Sequence, residues 1–237
     1  MIEPQITVGL ETSGLIGSVA ALRNDEVLGM RTIGDSGRRH ARTLISELDE
    51  LLKSLAISPR SVGHVAVSVG PGSFTGLRVG VVAAKCWAFA TRCHLSAVGT
   101  FEAVAAGLPV SARTAWVIDD ALRGEVFVQR FDAAGDSWIA NGSPAIVAFD
   151  AWLNQTTAAD VVAGPAAGKW TGETEARRLV VADPRFHHAT AALVAVCGRL
   201  RAHAGQFSDP FALAPLYIRR SAAEEKLDAQ IAAGPLS

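Results

Sequence analysis

Residues 65–78 read Val65-Ala66-Val67-Ser68-Val69-Gly70-Pro71-Gly72-Ser73-Phe74-Thr75-Gly76-Leu77-Arg78, and this stretch decides the fold class. The short apolar run at 65–69 is what a parallel strand buried on both faces shows. Gly70-Pro71-Gly72 breaks it. From about Thr75 to Arg92 nearly every side chain is small or apolar, which predicts a helix buried on most sides. Only Arg78, Lys85 and Arg92 carry charge there, and their seven-residue spacing returns them to one face as a cationic ridge. A buried strand feeding a buried helix is the repeating unit of an α/β fold.

Working outward, Ile6, Val8 and Leu10 alternate with Thr7 and Gly9, the period of a strand. Residues 18–22 and 26–33 follow as two more strands, joined at Asn24-Asp25, a tight hairpin signal. A helix is predicted over 39–55, a strand at 95–98 and a short helix from Thr100. Three antiparallel strands followed by strand–helix units predict a mixed sheet with helices packed on it. Residues 107–114 are the best boundary, because beyond them the pattern restarts at 115–119 and 125–131. The expected organisation is an N-terminal lobe over 1–108, a C-terminal lobe over 109–220 and a frayed tail over 221–237. Residues 135–173 carry no clear period, and a helix is expected at 189–202.

The chain has 237 residues with 22 basic and 23 acidic side chains, a net charge of −1. That excludes a nucleic-acid binder acting through overall charge. Charged residues are 19% and hydrophobic ones 49%, against about 25% charged in ordinary domains, so the chain is neither disordered nor a charge-laced coiled coil. The three cysteines, Cys86, Cys93 and Cys197, have unrelated spacings, which suits a reducing compartment. The first eleven residues carry acids and no long apolar run, and the most apolar stretch, 79–90, is interrupted by Lys85. A soluble, cytoplasmic protein without membrane contact is expected.

Chemistry-bearing groups are sparse. The histidines are His40, His64, His94, His187, His188 and His203; no HExxH is present and no pair stands four apart. His187-His188 should point to opposite sides of an extended chain. Cys93-His94 are adjacent, and neighbours rarely present both groups to one substrate. Asp119, Asp120 and Glu125 cluster at a strand end and are read as a solvated turn. No G-x-S-x-G elbow is present. No catalytic and no metal residue is therefore assigned. The loop Gly70, Gly72, Ser73, Thr75 and Gly76 lacks both GxxxxGK[ST] and GxGxxG, and Pro71 removes one N–H. It reads equally as a strand-to-helix turn or as an anion cradle at a helix start. Arg38, Arg39 and Arg42 surround His40 at the start of the first helix, where the macrodipole disfavours cations. Either that end faces an anion, or Asp35 and solvent absorb the charge.

The stretch GPGSFTGLRVG resembles the TsaB (YeaZ) family, a subunit of the bacterial machinery that makes threonylcarbamoyladenosine in tRNA. Other segments resemble it in order: VGLETSG, with Glu11 where an aspartate is usual; HARTLISELDELL; DALRGEVF, with Leu122 and Phe127 where arginine and tyrosine are usual; and PLYIR at 215–219. The resemblance implies a two-lobed α/β fold of the actin-like ATPase (ASKHA, RNase H-like) class. In the related catalytic subunit TsaD, two histidines four apart hold a metal; here Thr100 and Val104 take those places, and neither suits a transition metal. The implied function is a non-catalytic partner of a TsaD-like subunit that transfers threonylcarbamoyl from its adenylate to tRNA adenosine. No activity alone and no cofactor of its own are expected, with ATP and metal on the partner. A TsaE-like ATPase is a further expected partner, tRNA is reached through the complex, and a homodimer forms through the same helices. The fused acetyltransferase domain found in some relatives is not expected. An independent kinase-like or metallopeptidase-like enzyme of the same fold is the alternative. The first helix carries Ala41, Ile45, Leu48, Leu52 and Leu55 in a 4-3-4-3 stripe, widened by Leu44 and Leu51. The partner-binding surface is predicted from His40, Leu44, Leu48, Leu51, Leu77, Arg78, Val81 and Lys85. The ridge on the second helix is expected to meet Glu47 and Glu50, in this chain or in another one, and Leu48→Asp to weaken association.

Overall fold

A computed structural model describes residues 6–34 and 40–219, apart from the side chains of residues 40–42. The tail at 221–237, Asp35, Arg38 and Arg39, and the side chains of His40, Ala41 and Arg42 therefore lie outside the described residues.

Strands β1 (Ile6–Glu11), β2 (Gly17–Arg23) and β3 (Glu26–Ile33) form an antiparallel meander. Asn24 turns the second hairpin at φ 54°, a conformation its short polar side chain tolerates. Then come α1 (His40–Ser54), β4 (Val62–Gly70), α2 (Phe74–Thr91) and β5 (His94–Gly99). β4 and β5 lie parallel to β1, giving the order β3-β2-β1-β4-β5. After α3 (Thr100–Ala106) the plan repeats. β6 (Thr114–Leu122), β7 (Glu125–Ala134) and β8 (Ser137–Ala148) form a second meander. α4 (Phe149–Leu153), β9 (Val161–Ala163), α5 (Thr171–Ala176) and β10 (Val180–Val181) complete it, in the order β10-β9-β6-β7-β8. The fold is thus two mixed five-stranded sheets flanked by helices, as the sequence leads one to expect of a two-lobed α/β chain. The unassigned stretch 135–173 holds β8, α4 and β9. β8 is an edge strand with no fully buried position, and β9 has three residues, so neither leaves a readable period.

All six residues of β1 are buried, because both faces of the first sheet are covered. On one face Val8 and Leu10 pack with Leu44, Leu48, Leu51 and Leu52 of α1 and with Val81, Ala84 and Ala88 of α2. The other face takes α6 (Ala191–His203), which follows the second sheet in sequence. Small residues let it approach. A Cβ at Gly9 would stand 2.0 Å from the Ala191 carbonyl oxygen, and one at Gly198 2.3 Å from Ala66 Cβ. Buried Ser18 Oγ accepts from Ala191 N at 2.9 Å and holds the helix start.

Candidate functional site

The C-terminal ends of β1, β4 and β5, where parallel strands leave a crevice, open on a cleft of 670 Å³. Its walls come from the β1–β2 turn, the glycine loop, the start of α3, Asp119 of β6 and residues 188–190 ahead of α6. Glu11 closes its floor at 1% exposure. Glu11 Oε1 accepts from Ser13 N and Ser13 Oγ, both at 2.5 Å. Its Oε2 has no hydrogen-bond partner of good geometry, and neither does Thr100 Oγ1 in the wall, whose residue is 6% exposed. Burial pushes the Glu11 carboxyl above the ordinary carboxylate range; hydrogen bonds from Ser13 and the neighbouring Ser68 hydroxyl pull part of that back. Asp119 faces it from the second sheet. Burial raises its pKa, and the repulsion of Asp120 adds to that, while a bond from Asp120 N at 2.8 Å opposes both.

The sequence reading of Asp119, Asp120 and Glu125 as one solvated turn is not what the structure shows. Asp119 turns into the cleft, Asp120 pairs with Lys169 at 2.5 Å, and Glu125 pairs with Arg219. Alternation along β6 sends neighbours to opposite faces. His187 and His188 part in the same way. His187 Nε2 meets the Ala182 carbonyl at 2.8 Å, whereas His188 lines the cleft, its pKa lowered by burial and by His187. Thr100 and Val104 both line the cleft from α3. Among the described residues, no three His, Cys, Asp or Glu side chains are grouped to hold a metal ion.

The glycine loop proves to be a packing device. Ser73 caps α2, its side chain accepting from Gly76 N at 3.2 Å and its carbonyl from Leu77 N at 2.9 Å. Ser73 N donates to Ser13 O at 2.7 Å, and Thr12 Oγ1 donates to Gly76 O at 2.8 Å. A Cβ at Gly76 would lie 2.0 Å from Thr12 O, and one at Gly72, where φ is +154°, 2.6 Å from Ser13 O. The glycines thus let α2 press on the β1–β2 turn, and the amides of Ser73, Gly76 and Leu77 already have partners. A nucleoside triphosphate, the ligand an actin-like ATPase fold implies, does not fit these residues. Among the described residues lining the cleft there is no lysine or arginine for its phosphates, and Glu11 and Asp119 oppose them.

Five of the predicted partner-binding residues do not reach the surface of this chain. Leu44, Leu48, Leu51, Leu77 and Val81 are all buried in the chain's own core. The 4-3-4-3 stripe was wide because α1 packs on β2, β3 and α2 at once. Arg78 and Lys85 serve the chain's own C-terminal segment: Arg78 lies 4.0 Å over the Phe74 ring and donates to Tyr217 Oη at 2.8 Å, and Lys85 Nζ donates to Leu213 O at 3.0 Å. Glu47 and Glu50 pair with Arg31 at 2.7 and 2.6 Å, not with the α2 ridge. What the helices turn outward is Ile45 on α1, 52% exposed, and Val82, Cys86 and Phe89 on α2, with Val82 at 57% and Phe89 at 75%. The 82-86-89 spacing is itself a helical stripe, visible in the sequence but masked there by apolar residues on every other side.

Comparison with known proteins follows the same lines. A family model described as TsaD, tRNA N6-adenosine threonylcarbamoyltransferase, matches residues 34–227. The tRNA threonylcarbamoyladenosine biosynthesis protein TsaB of Bacillus subtilis is 31% identical over 120 residues, 51% of this chain and 52% of that protein, so the match spans about half of its length. An uncharacterised protein of Mycobacterium tuberculosis is 29% identical over 225 residues, 92% of this chain and 93% of its own. YeaZ from Pseudomonas aeruginosa shares the fold with a TM-score of 0.72 at 20% identity, over 90% of this chain and 99% of that one. The chain belongs to the family whose model is described as TsaD, tRNA N6-adenosine threonylcarbamoyltransferase, and is similar to its TsaB (YeaZ) proteins.

Proposed function

We propose that this protein works in tRNA threonylcarbamoyladenosine biosynthesis as a non-catalytic partner, docking on a TsaD-like subunit that owns the reactive centre. The observation that carries it is the outward stripe of α2, Val82, Cys86 and Phe89, with Ile45 of α1 also exposed. An apolar helical stripe left in water is the usual mark of a protein partner. The names of the related proteins supply the pathway. In this reading the docking lobe is residues 1–108 completed by α6, and the remainder of 109–220 forms the other lobe. ATP and metal belong to the partner, a TsaE-like ATPase joins the complex, a homodimer uses the same stripe when the partner is missing, and the site of action is the cytoplasm. Among the described residues no helix is long and apolar enough to cross a membrane.

The test is co-purification of the full chain with the host's TsaD-like protein. Phe89→Asp is expected to leave folding within about 0.5 kcal/mol, as exposed substitutions do, and to weaken the complex about tenfold or more. Leu48→Asp is expected to unfold the chain instead, since an unpaired charge at a core position costs about 3 to 5 kcal/mol. A complex of unchanged affinity with Phe89→Asp rejects this surface. No complex with the native chain rejects the partner role.

A further inference from the structure

The cleft has a chemistry that the partner role leaves unused. Two carboxyl groups, from different sheets, line it: Glu11 from the end of β1 and Asp119 from β6. Beside them stands Thr100, whose buried hydroxyl has no hydrogen-bond partner, and Glu11 Oε2 has none of good geometry beyond the neighbouring Ser68 hydroxyl. Buried polar atoms are nearly always paired, by protein or by something bound. Leu15, Ile16, Met30, Phe101 and Val104 give the wall an apolar side, next to serine and threonine hydroxyls and His188. A pocket of this volume with a few convergent polar groups is the form small-molecule sites take.

We propose that the cleft binds a small organic cation, a primary ammonium carried on an apolar body, and rejects phosphorylated ligands. An ammonium has three N–H donors and no acceptor. The atoms it would meet can accept: Glu11 Oε2, Thr100 Oγ1 and the Asp119 carboxylate, whose Oδ1 also takes the Asp120 amide. The apolar body would cover Met30, Phe101 and Val104. Burial disfavours the charged form of both carboxyls, and an ammonium beside them would offset that penalty and favour ionisation. Phosphate meets the opposite situation, since the amides of Ser73, Gly76 and Leu77 are already bonded and the carboxylates repel it.

The experiment is calorimetric titration of the full chain with three probes sharing one ring: phenethylamine, phenethyl alcohol and phenyl phosphate, with MgATP as a fourth. The amine is expected to bind about tenfold tighter than the alcohol, with no binding of phenyl phosphate or MgATP. Asp119→Asn and Thr100→Val are each expected to weaken the amine selectively, leaving the alcohol unchanged. Asp119 is half-buried, so its variant keeps the test open if the buried Glu11→Gln fails to fold. Tighter binding of phenyl phosphate or MgATP than of the amine overturns the proposal. So does an amine affinity equal to that of the alcohol or unaffected by Asp119→Asn, or no amine binding at millimolar concentration. None of these outcomes depends on whether a TsaD-like protein docks on α2.

Discussion

Replacing Gly76 by alanine sets helix propensity against packing, and the structure says which wins. In an exposed helix interior this change gains about 1 kcal/mol. Here the added methyl would sit 2.0 Å from Thr12 O and 3.2 Å from Thr12 C. The obstacle is backbone, in the turn that also frames the cleft, so it cannot rotate aside. Parting the two by about 1 Å is an overpacking strain of roughly 1 to 3 kcal/mol. It also pulls Thr12 Oγ1 from Gly76 O, now 2.8 Å apart and buried, at a cost of roughly 1 to 3 kcal/mol. The net expectation is a loss of about 1 to 5 kcal/mol, or a Tm lower by roughly 2 to 20 °C for a chain of this size. Urea unfolding measures it. Gly172→Ala in α5 is the control, because nothing stands within 4 Å of its new methyl, and it should be neutral or stabilising by up to about 1 kcal/mol. An unfolding midpoint for Gly76→Ala equal to or above that of the native chain would refute the view that this glycine exists for close packing.

Two further outcomes are expected. His64 is buried against Ser96, 2.9 Å from its Nε2, and burial, helped by His94, lowers its pKa from 6.5 to about 4. The unfolded chain takes up the proton first, so His64 supports the fold fully above pH 6.5. That contribution, about 3 kcal/mol, drains away as pH falls from 6.5 through 4. Stability of His64→Gln should fall less steeply across that window; identical slopes would show that another group is responsible. The second concerns the C-terminal segment, which links the sheets: Leu216 N donates to Val69 O at 2.7 Å, and Arg219 bonds Ala121 O and Glu125. Arg219→Ala should cost about 1 kcal/mol and speed hydrogen exchange at the Leu216 amide; unchanged protection there would mean the segment is held by its N-terminal contacts alone.

Much of this protein is written locally. The alternation at Ile6, Val8 and Leu10, the hairpin signal at Asn24, the buried run before Gly70 and the apolar stripe of α1 each report one element, because period and turn chemistry are short-range properties. They yield the α/β class and its first sheet without coordinates. The glycine loop and the other matching segments, in order along the chain, carry the family resemblance. Direction is a different matter. The leucines of α1 and α2 are apolar in either environment, and only the packed molecule shows that Leu44, Leu48 and Leu51 face inward while Ile45, Val82 and Phe89 face water. Likewise Glu11 and Asp119 stand over a hundred positions apart, and α6 follows the second sheet yet packs on the first through Gly9, Ala66 and Gly198. Such meetings are made by long-range closure, whose energy lies in contacts between segments that no local pattern encodes.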